Sequence, residues 1–239
     1  MVNAMIEDEL KGRLQKIALS CGDSAASAIP VPEGPVIYLT FDDGPGPYTA
    51  GLLDVLKDCG VRATFFVTAQ SPDYLDMITR ASAEGHSIGA HTFSHEYREI
   101  YASTEAYLRD FLNCEEMIRA RTGSYSPLFR FPGGSSNTVS RISPGIMSSL
   151  SVTMPILGFR YFDWNVDSGD TSGTASGDTI LRNITEGCRG RQTSLVLQHD
   201  IKSYSVGIVR DVIAWGRENG YCFLPLGPDS PTAKHNIAN

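Results

Sequence analysis

Between Val36 and Leu224 the chain alternates short apolar runs with helix-length amphipathic stretches, six or seven times over. Parallel neighbours need crossovers of a dozen or more residues, usually helical, so this alternation dictates a parallel sheet with its helices outside. The apolar runs put strands at residues 36–41, 63–67, 87–90, 128–131, 160–166, 193–197 and 221–224. Helices are expected at 49–58, from a Ser71–Pro72 cap to about Glu84, and at 104–121, 144–150, 178–186 and 206–219. Gly60, Gly85 and Gly220 stand where helices would stop. No internal repeat is visible.

The polar residues that interrupt this pattern all follow strands: Asp42 and Asp43, His91, Arg130, Asp167 and His199. An open parallel sheet gathers ligands at one switch point. A closed barrel brings every strand's carboxyl end to one mouth, where five strands can build one site. The expected fold is therefore α/β, an irregular (β/α) barrel of about seven parallel strands. The short third strand and the long 144–159 segment argue against a regular eightfold barrel.

Residues 3–19 carry Ile6, Leu10, Leu14 and Ile17 at helical spacing with charges between, an amphipathic helix expected to pack on its own domain. Residues 20–35, rich in Ser, Ala, Gly and Pro, look like a linker, so 1–35 is helix and linker and 36–239 the main domain. A formal charge of −7 and the absence of any basic run argue against a nucleic-acid partner. No apolar stretch approaches the roughly 20 residues of a membrane span. Glu7, Asp8, Glu9, Lys11 and Arg13 are foreign to a signal peptide. The five cysteines are scattered without a Cys-x-x-Cys pair, which argues against a structural zinc site and for small buried apolar residues.

The chemistry concentrates in five stretches. Thr40-Phe41-Asp42-Asp43-Gly44-Pro45 ends an apolar strand in two adjacent carboxylates. Neighbours on an extended chain point to opposite sides, so one acid can face a metal while the other faces a water or a partner base. His91-Thr92-Phe93-Ser94-His95 sets two imidazoles four apart, one face of a helical turn, as a divalent metal requires. With one carboxylate they make a set that leaves positions open for water, which marks a catalytic centre. Phe129-Arg130-Phe131-Pro132-Gly133-Gly134 offers an Arg able to pair with a carboxylate and a Gly133 amide free to donate to an oxyanion. Asp163, Asp167 and Asp170 surround a strand end, and the very apolar run Leu195-Val196-Leu197 delivers His199.

These stretches, Thr-Phe-Asp-Asp-Gly-Pro, His-Thr-Phe-Ser-His, Arg-Phe-Pro-Gly-Gly, Trp-Asn-Val-Asp-Ser-Gly-Asp and Leu-Val-Leu-Gln-His-Asp, resemble in this order the motifs of the NodB-type polysaccharide deacetylases, the fourth family of carbohydrate esterases. The resemblance covers about residues 36–225 and implies a distorted (β/α) barrel that removes acetyl groups from N-acetylated sugars with a divalent metal, usually zinc, with cobalt or nickel as alternatives. It implies Asp43, His91 and His95 as metal ligands, Asp42 as general base and Arg130 as its partner. It further implies the Gly133 amide as oxyanion donor, His199 as general acid held protonated by Asp167, and Leu197 as the wall of the acetyl-methyl pocket. The family commonly has Trp after the last Asp of its fourth motif, where this chain has Thr171; Trp164 or Tyr161 is the candidate replacement. The wording of that motif is most similar to that of bacterial enzymes acting on cell-wall peptidoglycan, which implies a polysaccharide partner outside the cytoplasm. Chitin fragments or acetylated xylan are alternative substrates for the same site. A sugar-binding protein without catalysis is the different-class alternative, disfavoured because Asp42 and His199 are both present.

Overall fold

The computed structural model describes residues 2–23 and 33–238. Its strands are β1 (Val36–Asp42), β2 (Thr64–Val67), β3 (Ser87–Ala90), β4 (Leu128–Phe129), β5 (Arg160–Tyr161), β6 (Val166–Asp167), β7 (Thr193–His199) and β8 (Cys222–Phe223). Every ladder is parallel, and the order is β5-β4-β3-β2-β1-β7-β6 with β8 added to β1. The helices are α1 (Val2–Asp23), α2 (Thr49–Asp58), α3 (Asp76–Ala83), α4 (Tyr97–Ile100), α5 (Thr104–Thr122), α6 (Ile146–Ile156), α7 (Gly177–Cys188), α8 (Ser203–Val206) and α9 (Val209–Glu218).

β1 is the central strand, buried along its whole length. Its side chains alternate as a pleated strand requires. Ile37, Leu39 and Phe41 join the large cluster beneath the helices, while Val36 and Tyr38 point inward to Phe66, Leu128, Phe162, Leu195 and Leu226. The same period carries Thr40 and then Asp42 up the inner row. β7 pairs with β1 throughout, setting Leu197 beside Thr40 and His199 beside Asp42. The inner row thus turns from apolar to ionisable at its carboxyl end, as the strand-end residues led one to expect.

One strand in the sequence reading is a correction. Residues 160–166 form no single strand: β5 and β6 lie at opposite edges of the sheet. Five Cα steps separate Tyr161 from Val166 and reach at most about 18 Å. Seven strands laid flat would put those edges about 29 Å apart. The sheet must therefore curl until its edges nearly meet, and residues 162–165 bridge the seam. The C-terminal tail straps this seam. Asp163 N donates to Ala233 O at 2.9 Å, His235 N to Asp163 Oδ2 at 2.8 Å, and Arg160 Nη2 to Ser230 O at 2.7 Å.

Other departures are local. A 3-10 turn at Pro72–Tyr74 precedes α3 and the Ser71 side chain caps nothing. The helix expected from 144 begins at Ile146 and runs to Ile156. The last helix divides into α8 and α9 at Gly207. α1 sends Leu10, Leu14 and Ile17 into the same core cluster as the barrel helices, and Arg13 lies 3.8 Å from Glu116 on α5. Most of the expected linker lies outside the described residues, and Ser20 and Cys21 belong to α1. All five cysteines are free. Among the described residues no helix is long and apolar enough to cross a membrane.

Candidate active site

The turn after β1 fits because it is cut to one neighbour. Asp43 takes a left-handed φ of 70°, and a β-carbon on Gly44 would stand 2.1 Å from Asp200 Oδ1, so glycine alone is accommodated there. Asp200, which follows His199, accepts a 2.5 Å hydrogen bond from Thr49 Oγ1, which in turn accepts from Gly46 N at 2.8 Å. The ends of β1 and β7 are thereby tied to each other. Burial raises the Asp200 carboxyl to about 7.

His91 follows β3. Its Nδ1 donates to Arg130 O at 2.9 Å, which fixes the tautomer and leaves Nε2 bare, 3.5 Å from Asp43 Oδ1 and 3.7 Å from Asp42 Oδ2. His95 Nε2 is 3.2 Å from the same Asp43 Oδ1. The helical turn expected between the two histidines does not form. Thr92 and His95 have φ of 68° and 56°, and the loop is held instead by Asp110 of α5, which accepts from Phe93 N at 2.5 Å and Ser94 N at 3.2 Å. Non-glycine residues with positive φ are uncommon, and three of them meet here.

The donor atoms of Asp43, His91 and His95 lie within 4.8 Å of one another, and Asp43 Oδ1 is buried with no hydrogen-bond partner. Two imidazole nitrogens and an orphaned carboxylate oxygen converging on one point fit a divalent cation of the zinc type.

Asp42 turns inward. Its Oδ1 accepts from Arg130 Nη1 at 2.8 Å, and the same fully buried guanidinium reaches Thr40 Oγ1 at 2.7 Å, Phe162 O at 2.7 Å and Asp163 O at 3.0 Å. Arg130 thus spans the barrel from β1 to the seam, its charge resting 4.5 Å above the Phe66 ring. Burial raises the Asp42 carboxyl to about 6 against the pull of Arg130, so at neutral pH it is largely ionised and able to accept a proton.

The partner of His199 is a second correction. Asp167 is exposed, and its Oδ1 accepts from Gly169 N at 2.8 Å. The register explains why: Asp167 pairs with Leu197, one inner position below His199. The Ser168–Gly169 turn then lifts Asp170 level with the histidine, where Oδ1 meets Nδ1 at 2.8 Å and Oδ2 accepts His199 N at 2.8 Å. Burial opposes charge on His199, but the bond to Asp170 and the charges of Asp170, Asp42 and Asp43 prevail and raise it to about 9. His199 Nε2 is 3.9 Å from Asp43 Oδ2, the carboxylate oxygen other than the one His91 and His95 approach.

Gly133 is exposed with φ 72°, and its amide donates to no acceptor among the described residues. Leu197 is 7% exposed and occupies the inner row directly beneath His199. Trp164 is half-buried over the seam, 5.7 Å from the Arg130 guanidinium and edge-on to His235 at 4.7 Å. Tyr161 points away, into the outer cluster with Phe129 and Phe131, and Thr171 is exposed. Sequence reasoning missed Asp170, Asp110 and Asp200 as supports. The signal for Asp170 was its place among three strand-end acids, and for Asp200 its place directly after His199 in Leu-Val-Leu-Gln-His-Asp; no comparable mark singled out Asp110.

Residues 30–144 match the polysaccharide deacetylase family. The chain is 34% identical over 201 residues to a peptidoglycan-N-acetylglucosamine deacetylase of Bacillus cereus, covering 80% of this chain and 69% of that protein. It is 33% identical over 215 residues to a chitin deacetylase of Pestalotiopsis, covering 80% and 67%. The crystal structure of the catalytic domain of peptidoglycan N-acetylglucosamine deacetylase from Eubacterium rectale superposes with a TM-score of 0.86 at 46% identity, over 91% of this chain and 100% of that one.

Proposed function

The chain belongs to the polysaccharide deacetylase family, hydrolases of amide bonds on acetylated glycans, and on that premise we propose that it removes the acetyl group from N-acetylglucosamine units of peptidoglycan with the help of a divalent cation. The observation that carries this reading is the buried, unpartnered Asp43 oxygen between His91 and His95, flanked by a base on one side and an acid on the other. Peptidoglycan is favoured because the relatives named for it include a domain 46% identical to this chain. Such a substrate puts the enzyme at the cell wall, outside the cytoplasm. The relatives named chitin deacetylase favour chito-oligosaccharides as the second reading.

Asp43, His91 and His95 would hold the cation, zinc by the character of the donors, which supplies Lewis acidity at the acetyl carbonyl and lowers the pKa of a water from 15.7 towards about 7. Arg130 occupies Oδ1 of Asp42, which leaves Oδ2 to take the proton of the attacking water. The Gly133 amide donates to the oxygen of the tetrahedral carbon. His199 enters protonated, and its Nε2 gives a proton to the departing amine while Asp170 holds Nδ1. Leu197 closes the floor against the acetyl methyl.

The test is acetate release from purified peptidoglycan, chito-oligosaccharides and acetylated xylan. Release should be fastest from peptidoglycan, stop with chelator and return with zinc. The Asp42→Asn variant should keep its metal and lose activity by about a hundredfold or more. Chelator-resistant turnover would refute the cation, an active Asp42→Asn enzyme the base, and faster turnover of chito-oligosaccharides the choice of glycan.

A further inference from the structure

The geometry points to Tyr97 as a further catalytic residue, whose phenol donates a hydrogen bond to the reacting acetamido group beside the Gly133 amide. The inference rests on the deacetylase reading of this site and adds a substrate contact to it.

Tyr97 opens α4 two residues after His95, and Tyr101 stands one turn later on the same face. Both tyrosines reach the Pro132–Gly133 turn, with different outcomes. Tyr101 is fully buried and its hydroxyl donates to Pro132 O at 2.9 Å, an ordinary structural bond. Tyr97 is half-buried, its ring edge-on to His95 with centroids 5.1 Å apart. A β-carbon on Gly133 would lie 3.2 Å from both its Cε1 and its hydroxyl oxygen, so this phenol fills the space that any side chain at 133 would take. One bond angle separates that β-carbon position from the Gly133 nitrogen, which puts the hydroxyl no more than about 6 Å from it.

The hydroxyl makes no hydrogen bond to another described residue. Tyr97 is only half-buried, and its hydroxyl is open to a partner from outside the chain. A group lodged between a cation ligand and an unpaired backbone donor meets the acyl oxygen of a bound substrate, since that oxygen must approach both. Tyr97 and Gly133 then form two donors converging on the position where charge develops, the arrangement that stabilises a tetrahedral oxyanion.

Tyr97→Phe keeps the ring against His95 and Gly133 and removes only the donor. Its kcat for acetate release from peptidoglycan should fall about 100- to 1,000-fold, with KM, zinc content by mass spectrometry and melting temperature unchanged. A variant with wild-type kcat overturns the proposal, whatever its KM. So does a fall in kcat that tracks lost zinc, because Tyr97 would then act only by packing on His95. These outcomes leave the deacetylase reading standing. A wild-type enzyme that releases acetate from no N-acetylated glycan removes both.

Discussion

Asp43 and Asp163 are both aspartates just beyond strands of the same barrel, and they meet opposite conditions. Asp163 lies at the seam, fully buried and fully used. Its Oδ1 accepts Ser135 N at 2.8 Å, and its Oδ2 accepts Ser135 Oγ at 2.5 Å and His235 N at 2.8 Å. Asp43 lies at the mouth with a left-handed backbone, and its Oδ1 is buried with imidazoles as neighbours and no donor. A buried polar group without a partner costs about 1–3 kcal/mol, and more when charged. The seam is built for stability. The mouth carries a deficit that a ligand from outside the chain would remove.

The comparison is broken most directly at Asp43. Asparagine tolerates the left-handed backbone and keeps the shape while removing the charge. Asp43→Asn should lower acetate release by about a thousandfold or more, equivalent to about 4 kcal/mol of barrel-mouth chemistry. In chelator-treated samples the same variant should be as stable as the wild type or more so in urea denaturation. A metal-free variant clearly less stable than the metal-free wild type would show that Asp43 is a structural carboxylate after all.

Asp163→Ala should do the reverse. It strands Ser135 N and His235 N and loosens the segment whose carbonyls hold Arg130. The expected loss is about 3 kcal/mol of stability, or a melting temperature lower by roughly 2–4 °C for each of these kcal/mol, with zinc binding retained. A loss under about 1 kcal/mol would mean that the tail does not strap the seam.

How much of this contrast was legible beforehand follows from the length of the elements that carry it. β1 and β7 are seven-residue strands, long enough for their apolar runs to declare burial, and the polar residues that end them marked the site. β5 and β6 have two residues each, too few to display any period, so one expected strand concealed the place where the sheet ends and begins again. The same shortness hid the register that favours Asp170 over Asp167. His91 and His95 were legible as a pair because of their spacing, yet the loop that joins them depends on Asp110, 15 positions past His95 and unmarked by any local pattern. Tyr97 was invisible for a related reason. Its role comes from what lies across the mouth at Gly133, and a tyrosine in a charged helix carries no sign of it.

Glu115 sets the limit of the comparison, because it is buried and half-partnered yet remote from the mouth. Its Oε2 accepts Ser126 N at 2.9 Å, while Oε1 has no partner. Here the missing partner is a proton: burial raises the carboxyl from 4.5 to about 8, against the Ser126 bond. In the unfolded chain Glu115 ionises near 4.5, whereas the folded chain keeps its proton up to about 8. The folded state therefore binds more protons across that window, and its stability from this group declines as pH rises from about 4.5 to about 8. Glu115→Gln supplies a permanent neutral group of similar shape and removes the decline. At pH 9 the variant should melt above the wild type by about 10 °C or more, on the order of 5 kcal/mol. At pH 4 the two should nearly coincide. Identical melting temperatures for the two proteins at both pH values would mean that the Glu115 carboxylate finds a partner in the folded chain, and an unpartnered buried oxygen would then no longer separate Asp43 from the seam.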